Sequence, residues 1–300
     1  MSEYSSAPIG DIDPESGELT EAQRTELRSA LSSDNPIDRR HAAQTCKQVF
    51  MENAETVRPL AGDLAALADD ERSSVAQQAG TVVVGMAEQY PEELAEYGSD
   101  LVSLAESDVN AVMLLGAQAL GDVVVDHPQA AADDIDRIIA VLRDQSAAFE
   151  ASGVVDITDD EDARQTILEH EEEENSMEIH AQATLSDVLV AVAEAEPSAL
   201  VDHVTELRAL LDHVDATVVA AAVDTLAELA AADPEAVAPA TEQLVACLDH
   251  GDKRVRARSI RALGHIGDDN AVPALRQLAE TTDDEAVAEL ATDTADFLSQ

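Results

Sequence analysis

The sequence predicts an all-α fold, a right-handed α-solenoid of about six helix pairs, because one proline-led segment recurs along it. Its prolines, Pro91, Pro128, Pro197 and Pro234, are separated by 37, 69 and 37 residues. A fixed period of about 20–50 residues is typical of solenoids, in which each repeat packs on its neighbours. The 69-residue step is one 37-residue repeat plus 32 residues, so one repeat boundary is predicted to carry an insertion.

Each copy of the segment has the pattern of the second helix of a helix-turn-helix repeat. In residues 232–250, Asp233 is a favourable N-cap and Pro234 stands at the first helical position, so we expect one complete helix. Counted from the proline position, offsets 3, 10 and 14 are apolar in the first five pairs and form one stripe. In this copy the stripe is Val237, Leu244 and Leu248. Stacked neighbours can bury such a stripe, whereas a lone helix pair cannot.

The predicted solenoid fills residues 20–300 and follows an acidic, disordered tail at 1–19. A capping helix at 20–33 and a C-terminal cap at 282–300 enclose the repeats, since the terminal elements of a solenoid face water. The six predicted repeats are approximately 34–70, 71–107, 108–144, 177–213, 214–250 and 251–281. An acidic insertion at 145–176 separates the third repeat from the fourth.

The composition is strongly acidic, with 63 Asp and Glu against 17 Lys and Arg and a formal net charge of −46. Regular apolar faces along nearly the whole chain argue against an acidic disordered protein. Molar salt shortens the Debye length to about 3 Å and screens the repulsion between surface carboxylates. Few lysines and small apolar residues are typical of haloarchaeal proteins, so we expect a soluble, halophilic protein in a high-salt cytoplasm.

The sequence does not indicate secretion, a membrane span or a reactive cysteine. The N-terminal residues have neither a cationic start nor an apolar core, so they do not resemble a signal peptide. The longest uncharged apolar stretch, near 79–87, is too short to span a bilayer. Cys46 and Cys247 stand at apolar repeat positions, which favours small buried hydrophobes over a reactive site.

The sixth repeat carries the most specific motif of the chain. Its characteristic residues are Asp252, Arg256, Gly264, Gly267 and Pro273. With the Val-Arg pair, the Gly-His-Ile-Gly-Asp turn and Ala-Val-Pro-Ala-Leu, this motif resembles the HEAT-like repeat first associated with phycobilisome lyases. The resemblance implies an armadillo-like α-solenoid with a concave protein-binding surface. It assigns the motif residues, and the four register prolines, to the repeat structure, and Arg39 stands in register with Arg256.

A cationic cluster interrupts the acidic sequence in the same repeat. It consists of Lys253, Arg254, Arg256, Arg258 and Arg261, with Arg276 one helix later. Arg254, Arg258 and Arg261 share a helix face by their spacing, and an exposed arginine face suits carboxylates or phosphates. We therefore predict partner binding by these three with Lys253 and Arg276. We expect Arg256 and Asp252 to bond across neighbouring turns, and a purely structural role for the whole cluster stays open.

The acidic insertion is the second candidate for partner contact. Its carboxylates include Asp156, Asp159, Asp160, Glu161 and Asp162. The alternating ligands, central glycine and closing glutamate of a calcium loop are absent, so no metal site is predicted. We expect a solvated loop followed by a helix extension from about Asp162.

The function predicted from these features is a non-catalytic scaffold or adaptor whose groove binds a protein partner. The sequence contains no phosphate-binding glycine loop and no nucleophile elbow, and no cofactor or membrane association is predicted. One alternative is a HEAT-like metal- or cofactor-dependent enzyme, although only His170-Glu171 resembles a di-iron His-Glu pair. A nucleic-acid-associated HEAT protein is less favoured because aromatic residues are scarce, and a taxis-linked adaptor stays open. Partner identity and oligomeric state stay open.

Overall fold

A computed structural model describes residues 12–68, 70–144 and 161–300, with the backbone alone at 144 and 161–171. Within these ranges every regular element is a helix, and the chain is an α-solenoid, as the sequence predicts. Residues 1–11 of the predicted tail and 145–160 of the predicted insertion lie outside the described residues.

The chain divides into two compact units. The first unit holds the described residues through Ala131 together with 161–184, and the second holds 132–144 together with 185–300. The α-helices of the first unit, the last of which ends one residue past its boundary at Ala131, are α1 (Glu21–Leu31), α2 (Pro36–Glu52), α3 (Ala54–Val57), α4 (Ala61–Ala65), α5 (Ser73–Gln89), α6 (Pro91–Leu94), α7 (Gly98–Ala105), α8 (Asn110–Asp126) and α9 (Gln129–Ala132). Short 3₁₀ helices are Pro14–Ser16, Arg58–Leu60 and Ala95–Tyr97.

The second unit has the same alternation of long and short helices. Its α-helices are α10 (Ile135–Asp144), the later part of α11 (Glu161–Ala195), α12 (Val204–Leu210), α13 (Ala216–Ala232), α14 (Pro234–Val237), α15 (Thr241–Ala246), α16 (Lys253–Ile266), α17 (Val272–Thr281) and α18 (Glu285–Leu298). Its 3₁₀ helices are Pro197–His203, Ala238–Ala240, Cys247–Asp249 and Asp269–Ala271. The helix α11 begins at Glu161, next to the predicted start at Asp162.

The apolar stripe of the second helices forms the core, as predicted. At offsets 3, 10 and 14 of the first five pairs, every side chain is buried except Ala68, which is half-buried. The buried members are Val57, Leu64, Leu94, Leu101, Ala105, Ala131, Ile138, Leu142, Leu200, Leu207, Leu211, Val237, Leu244 and Leu248. Both cysteines are buried too, so their predicted role as small hydrophobes is confirmed.

A recurrent turn precedes six of the described helices, namely α2, α5, α8, α13, α16 and α18. In six turns the side chain two residues before the N-cap accepts a hydrogen bond from the N-cap backbone N–H. The accepting residues are Ser33, Asp70, Ser107, His213, His250 and Thr282. Short polar side chains favour such local bonds over continued helix. The turns therefore set the register of the first helices, and α2, α5 and α8 begin 37 residues apart.

The prediction of one complete helix at 232–250 is wrong. The segment contains α14, a 3₁₀ turn at Ala238–Ala240, α15 and a second 3₁₀ turn. Pro239 lies in the first break, and Pro59 lies at the same offset of five residues in the 3₁₀ turn before α4. A proline inside a helix removes an N–H donor and clashes with the preceding turn. The second repeat has the same break at Ala95–Tyr97 without a proline, so the two prolines accompany the break and do not by themselves account for it.

Candidate functional site

The structure gives each predicted partner-binding cation an acidic partner in the chain. Lys253 lies 3.5 Å from Asp284, and Arg254 lies 2.7 Å from Asp252. Arg276 lies 2.6 Å from a carboxylate oxygen of Asp296. The cluster is therefore neutralised locally.

Arg258 and Arg261 form ion pairs with the neighbouring first helix. Arg258 contacts Asp224 at 3.0 Å, and Arg261 contacts Glu228, both of which lie on α13. Burial raises the pKa of the Asp224 carboxyl, while the charges of Arg258 and Arg261 oppose that rise. These two arginines therefore offset part of the desolvation of a carboxylate between two packed helices.

The expectation that Arg256 bonds to Asp252 is wrong. Arg256 instead donates to the carbonyl oxygens of His250 and Gly251, at 2.8 and 3.1 Å. Asp252 is the N-cap of α16 and accepts from the backbone N–H of Arg254 at 2.7 Å. Its bonds with Arg254 lower the pKa of the Asp252 carboxyl to about 2. An N-cap carboxylate is better placed for the free N–H groups of its own helix than for a side chain one turn further on.

The other motif residues take positions that suit a repeat. Gly267 ends α16 in the left-handed conformation with φ of 76°, which favours glycine. Pro273 stands in the first turn of α17, where its missing N–H has no helical partner to lose. Gly264 lies within α16.

Arg39, in register with Arg256, is anchored more firmly. Its Nε and Nη2 donate to the two carboxylate oxygens of Asp70 at 2.5 and 2.9 Å. A third bond runs from Nη1 to the carbonyl of Ser33 at 2.8 Å. The Asp70 side chain is 2% exposed, so this bidentate pair joins the turns before α2 and α5 in a nearly dry environment.

A cavity of about 1190 Å³ opens beside this ion pair. Its wall includes the apolar residues Leu31, Ile37 and Leu67 and the arginines Arg40 and Arg72. Ile37 is 61% exposed. Acidic side chains, Asp34 and Glu71 among them, line the same cavity, so its wall carries charges of both signs.

Three cations differ from all others in the described part of the chain. Among the Lys and Arg side chains that the structure describes, only Arg40, Lys47 and Arg72 have neither an ion pair nor a hydrogen bond. Arg40 and Arg72 are exposed, and Lys47 is half-buried. In a chain with a net charge of −46, three described cations that form no ion pair are unexpected.

Two of these cations lie on one outward face of α2, which we call the α2 stripe. The α2 stripe is Ile37, Arg40, His41, Gln44, Lys47, Gln48 and Met51. Steps of three and four residues place these side chains on a single helix face. The stripe contains no acidic residue, although 63 of the 300 residues are Asp or Glu. The stripe has an exposed apolar side chain at each end, Ile37 at the first and Met51, which is 75% exposed, at the second.

A second, smaller cavity of about 420 Å³ lies at the Met51 end of the stripe. Gln48 and Met51 line it, together with the acidic residues Asp13, Glu15 and Glu52. Each exposed apolar side chain of the stripe therefore stands at a cavity, and the uncompensated cations lie between them. The sequence interpretation missed the stripe, although its spacing and lack of carboxylates were visible.

Burial disfavours the ionised thiolate at both cysteines. It raises the pKa of the Cys46 thiol to about 12 and also raises the pKa of Cys247. Within the described ranges, no group of three or more His, Cys, Asp or Glu side chains is placed to hold a metal ion. In the same ranges no helix has the length and apolarity that a membrane span needs. The carboxylates predicted at 156–160 and the side chains of His170 and Glu171 lie outside the described side chains.

The helix pairs and their buried stripe define the class of this protein, an α-solenoid of HEAT-like repeats. The model of the family described as the adaptin N terminal region matches residues 14–293. The chain therefore belongs to the adaptin N terminal region family. None of the curated proteins compared with the chain matches it.

Several solved structures of repeat proteins are similar to the chain. One is an engineered protein from the Northeast Structural Genomics Consortium, with 19% identity and a TM-score of 0.57, covering 93% of this chain and 68% of that one. A second engineered protein from that consortium has 17% identity and a TM-score of 0.36, covering 92% and 96%. Computationally designed armadillo repeat proteins for modular peptide recognition have 18% identity and a TM-score of 0.40, covering 91% and 98%. The first of these likenesses shows the fold alone.

Proposed function

We propose that the protein is a non-catalytic scaffold that binds a protein partner through the α2 stripe and the cavity beside Arg39. One observation carries this proposal: exposed Ile37 and Met51 flank Arg40 and Lys47, and neither cation has a partner among the described residues. Met and Arg are enriched at protein interfaces relative to the rest of the surface, which supports a binding role for this helix face.

The cationic cluster of α16 stays a prediction as a partner-binding surface. Binding through Arg254, Arg258 or Arg261 requires each guanidinium to leave a carboxylate that it already contacts. Arg40 and Lys47 have no such competitor in the described chain. Charge that is already satisfied contributes little to a new interface, which favours the α2 stripe as the primary site.

A high-salt cytoplasm is part of the proposal. The net charge of −46 and the scarcity of lysine support it, and so does the small size of the core side chains. In molar salt the attraction of Arg40 and Lys47 for a partner is short-ranged, so apolar contacts at Ile37 and Met51 supply most of the affinity. The lyase-type repeat and the haloarchaeal source stay predictions.

Site-specific photo-crosslinking tests the proposed function. A photoreactive phenylalanine replaces Met51 in one variant and Val125 in another, and both are expressed in the source cells. The two positions are equivalent in α2 and α8 and are similarly exposed, at 75% and 77%, but the equivalent face of α8 carries no cation. We expect one stoichiometric protein adduct from position 51 and none from position 125.

A third variant with the photoreactive residue at Arg254 places the α16 cluster in the same comparison. An adduct from position 254 alone keeps the scaffold function and moves its site to the sixth repeat. No discrete adduct from any of the three positions contradicts the proposed function itself.

A further inference from the structure

The α2 stripe combines three features that independently describe what it binds. Its two ends are apolar and open to cavities of about 1190 and 420 Å³. Its centre carries Arg40 and Lys47, whose charges are not compensated in the described chain. Its polar positions, Gln44 among them, include no carboxylate that would repel an acidic ligand.

Resting on the proposed function, we infer that the α2 stripe holds an extended acidic peptide segment of its partner, with an apolar side chain at each end. Ile37 and Met51 are fourteen residues apart on α2, which corresponds to about 21 Å. An extended chain covers that distance in about six residues at 3.3 Å each. A segment of about seven residues therefore brings its two terminal side chains close to both cavities.

Charge complementarity with Arg40 and Lys47 indicates that the bound segment is negatively charged. Carboxylates between the two apolar anchors meet the guanidinium of Arg40 and the ammonium of Lys47. Both cavities have acidic residues in their walls, so each end accepts an apolar anchor and not the carboxylates. The acidic part of the segment thus lies between the two anchors, along Arg40 and Lys47.

A nucleic acid fits the same surface less well. The stripe has only two cations along about 10 Å of helix, and the imidazole of His41 is its single ring for a base to stack on. A phosphate polymer also has no aliphatic group for Ile37 or Met51. Apolar anchors next to cations therefore indicate a polypeptide.

Fluorescence anisotropy of the full-length protein tests the inference with a defined probe. The probe is a fluorescein-labelled peptide, Leu-Glu-Asp-Glu-Asp-Glu-Leu, flanked by glycines. The matched probes replace the acids by Gln and Asn, or the two leucines by Ser. We expect the acidic probe to bind at about 0.3 M KCl, and each matched probe to bind about tenfold more weakly.

Variants of the protein assign the binding to the stripe. Arg40→Gln with Lys47→Gln, and separately Ile37→Ser with Met51→Ser, are expected to weaken the probe about tenfold. The matched control, Lys253→Gln with Arg254→Gln, removes two exposed cations of the sixth repeat and is expected to leave affinity unchanged. Circular dichroism at each salt concentration confirms that all variants are folded.

Each other outcome overturns the inference in a distinct way. If the neutral probe binds as tightly as the acidic probe, the ligand is not recognised by its carboxylates. If the stripe variants bind the acidic probe as tightly as wild type, the binding site is not the α2 stripe. Displacement of the probe by a single-stranded oligonucleotide of equal charge favours a phosphate polymer. If sedimentation shows that wild type is a dimer and that the stripe variants are monomers, the occupant of the stripe is a second copy of the chain. If position 51 still yields a protein adduct in these cases, the proposed function survives and only the chemistry of the partner changes.

Discussion

The first and sixth repeats carry their basic residues in corresponding helices but use them differently. Arg254, Arg258 and Arg261 of α16 lie 217 residues after Ile37, His41 and Gln44 of α2, the same distance that separates Arg256 from Arg39. The α16 cations contact carboxylates of their own turn or of neighbouring helices, Asp224 and Glu228 of α13 among them. Arg40 and Lys47 of α2 form no such ion pair in the described chain, whereas Arg39 of the same helix is paired with Asp70.

The comparison teaches that a local run of cations does not identify a free cationic surface in a solenoid. For Lys253, Arg258 and Arg261 the paired carboxylate lies one repeat away along the chain, since each first helix packs beside the next. Arg258 and Asp224 are 34 residues apart, and Arg261 and Glu228 are 33 apart. The positions where such a partner is missing are therefore more informative about binding than the positions where cations cluster.

The largest expected effect distinguishes Arg39 from Arg256, the two arginines that stand at the same position of the first and sixth repeats. Arg39→Ala leaves the nearly buried carboxylate of Asp70 without a partner, and we expect a loss of about 3 kcal/mol in local stability. Arg256→Ala removes bonds to two carbonyl groups at a more exposed turn, with an expected loss of about 1 kcal/mol. Hydrogen–deuterium exchange of α2 and α16 measures both losses, because it reports local opening separately for each helix. Equal losses would contradict the difference in burial between the two sites.

The next effect separates structural cations from binding cations. Arg258→Gln with Arg261→Gln removes both ion pairs to α13, and we expect a loss of about 1–2 kcal/mol in the stability of α13 and α16. Arg40→Gln with Lys47→Gln breaks no ion pair or hydrogen bond in the described chain and is expected to change stability by less than about 0.5 kcal/mol. Urea denaturation in molar KCl, followed by circular dichroism, compares the two double variants. A destabilising α2 variant would show that its cations have a structural role after all.

The pH dependence of stability sharpens the same contrast at Asp224. Burial raises the pKa of this carboxyl in the folded protein, so the folded state binds its proton more tightly than the unfolded state does. Its contribution to stability therefore falls as pH rises from about 4 through the raised pKa. Asp224→Asn removes this dependence, so the variant gains stability relative to wild type as pH rises above about 4, and this gain is smaller than the loss in the double arginine variant. Urea midpoints at about pH 4 and at about pH 7 measure the change, and a shift of the opposite sign would exclude desolvation as the dominant cause.

Much of this architecture follows from local sequence. The 37-residue period, the buried offsets at residues such as Leu94 and Leu101, and the glycine turn at Gly267 all depend on helix geometry within one repeat. The ion pairs do not, because they depend on which acidic residue of the adjacent repeat reaches a given cation. The α2 stripe escaped prediction for the same reason, since a cation is free only when its neighbours are known.

The smallest expected effect concerns the second helix of the first repeat. Pro59 lies in the 3₁₀ turn before α4, whereas α17 of the sixth repeat runs without a break from Val272 to Thr281. The second repeat has the same break at Ala95–Tyr97 without any proline, so proline alone does not cause it. Pro59→Ala is therefore expected to keep the break and to change stability by less than about 0.5 kcal/mol.

Amide exchange in the segment Arg58–Leu60 of the Pro59→Ala variant tests that expectation. The substituted alanine acquires a protected N–H in a continuous helix and does not gain the same protection in a 3₁₀ turn. Strong new protection at this position would mean that proline imposes the break and that the second repeat reaches it by another route. Continued exchange would assign the break to packing between successive second helices, such as the close backbone approach of Gly98 to Ala130, where a Cβ on the glycine would overlap the Ala130 carbonyl oxygen. In that case the straight α17 reflects the shorter turn of the sixth repeat, where α16 ends at Ile266 after 14 residues instead of the 17 of α2.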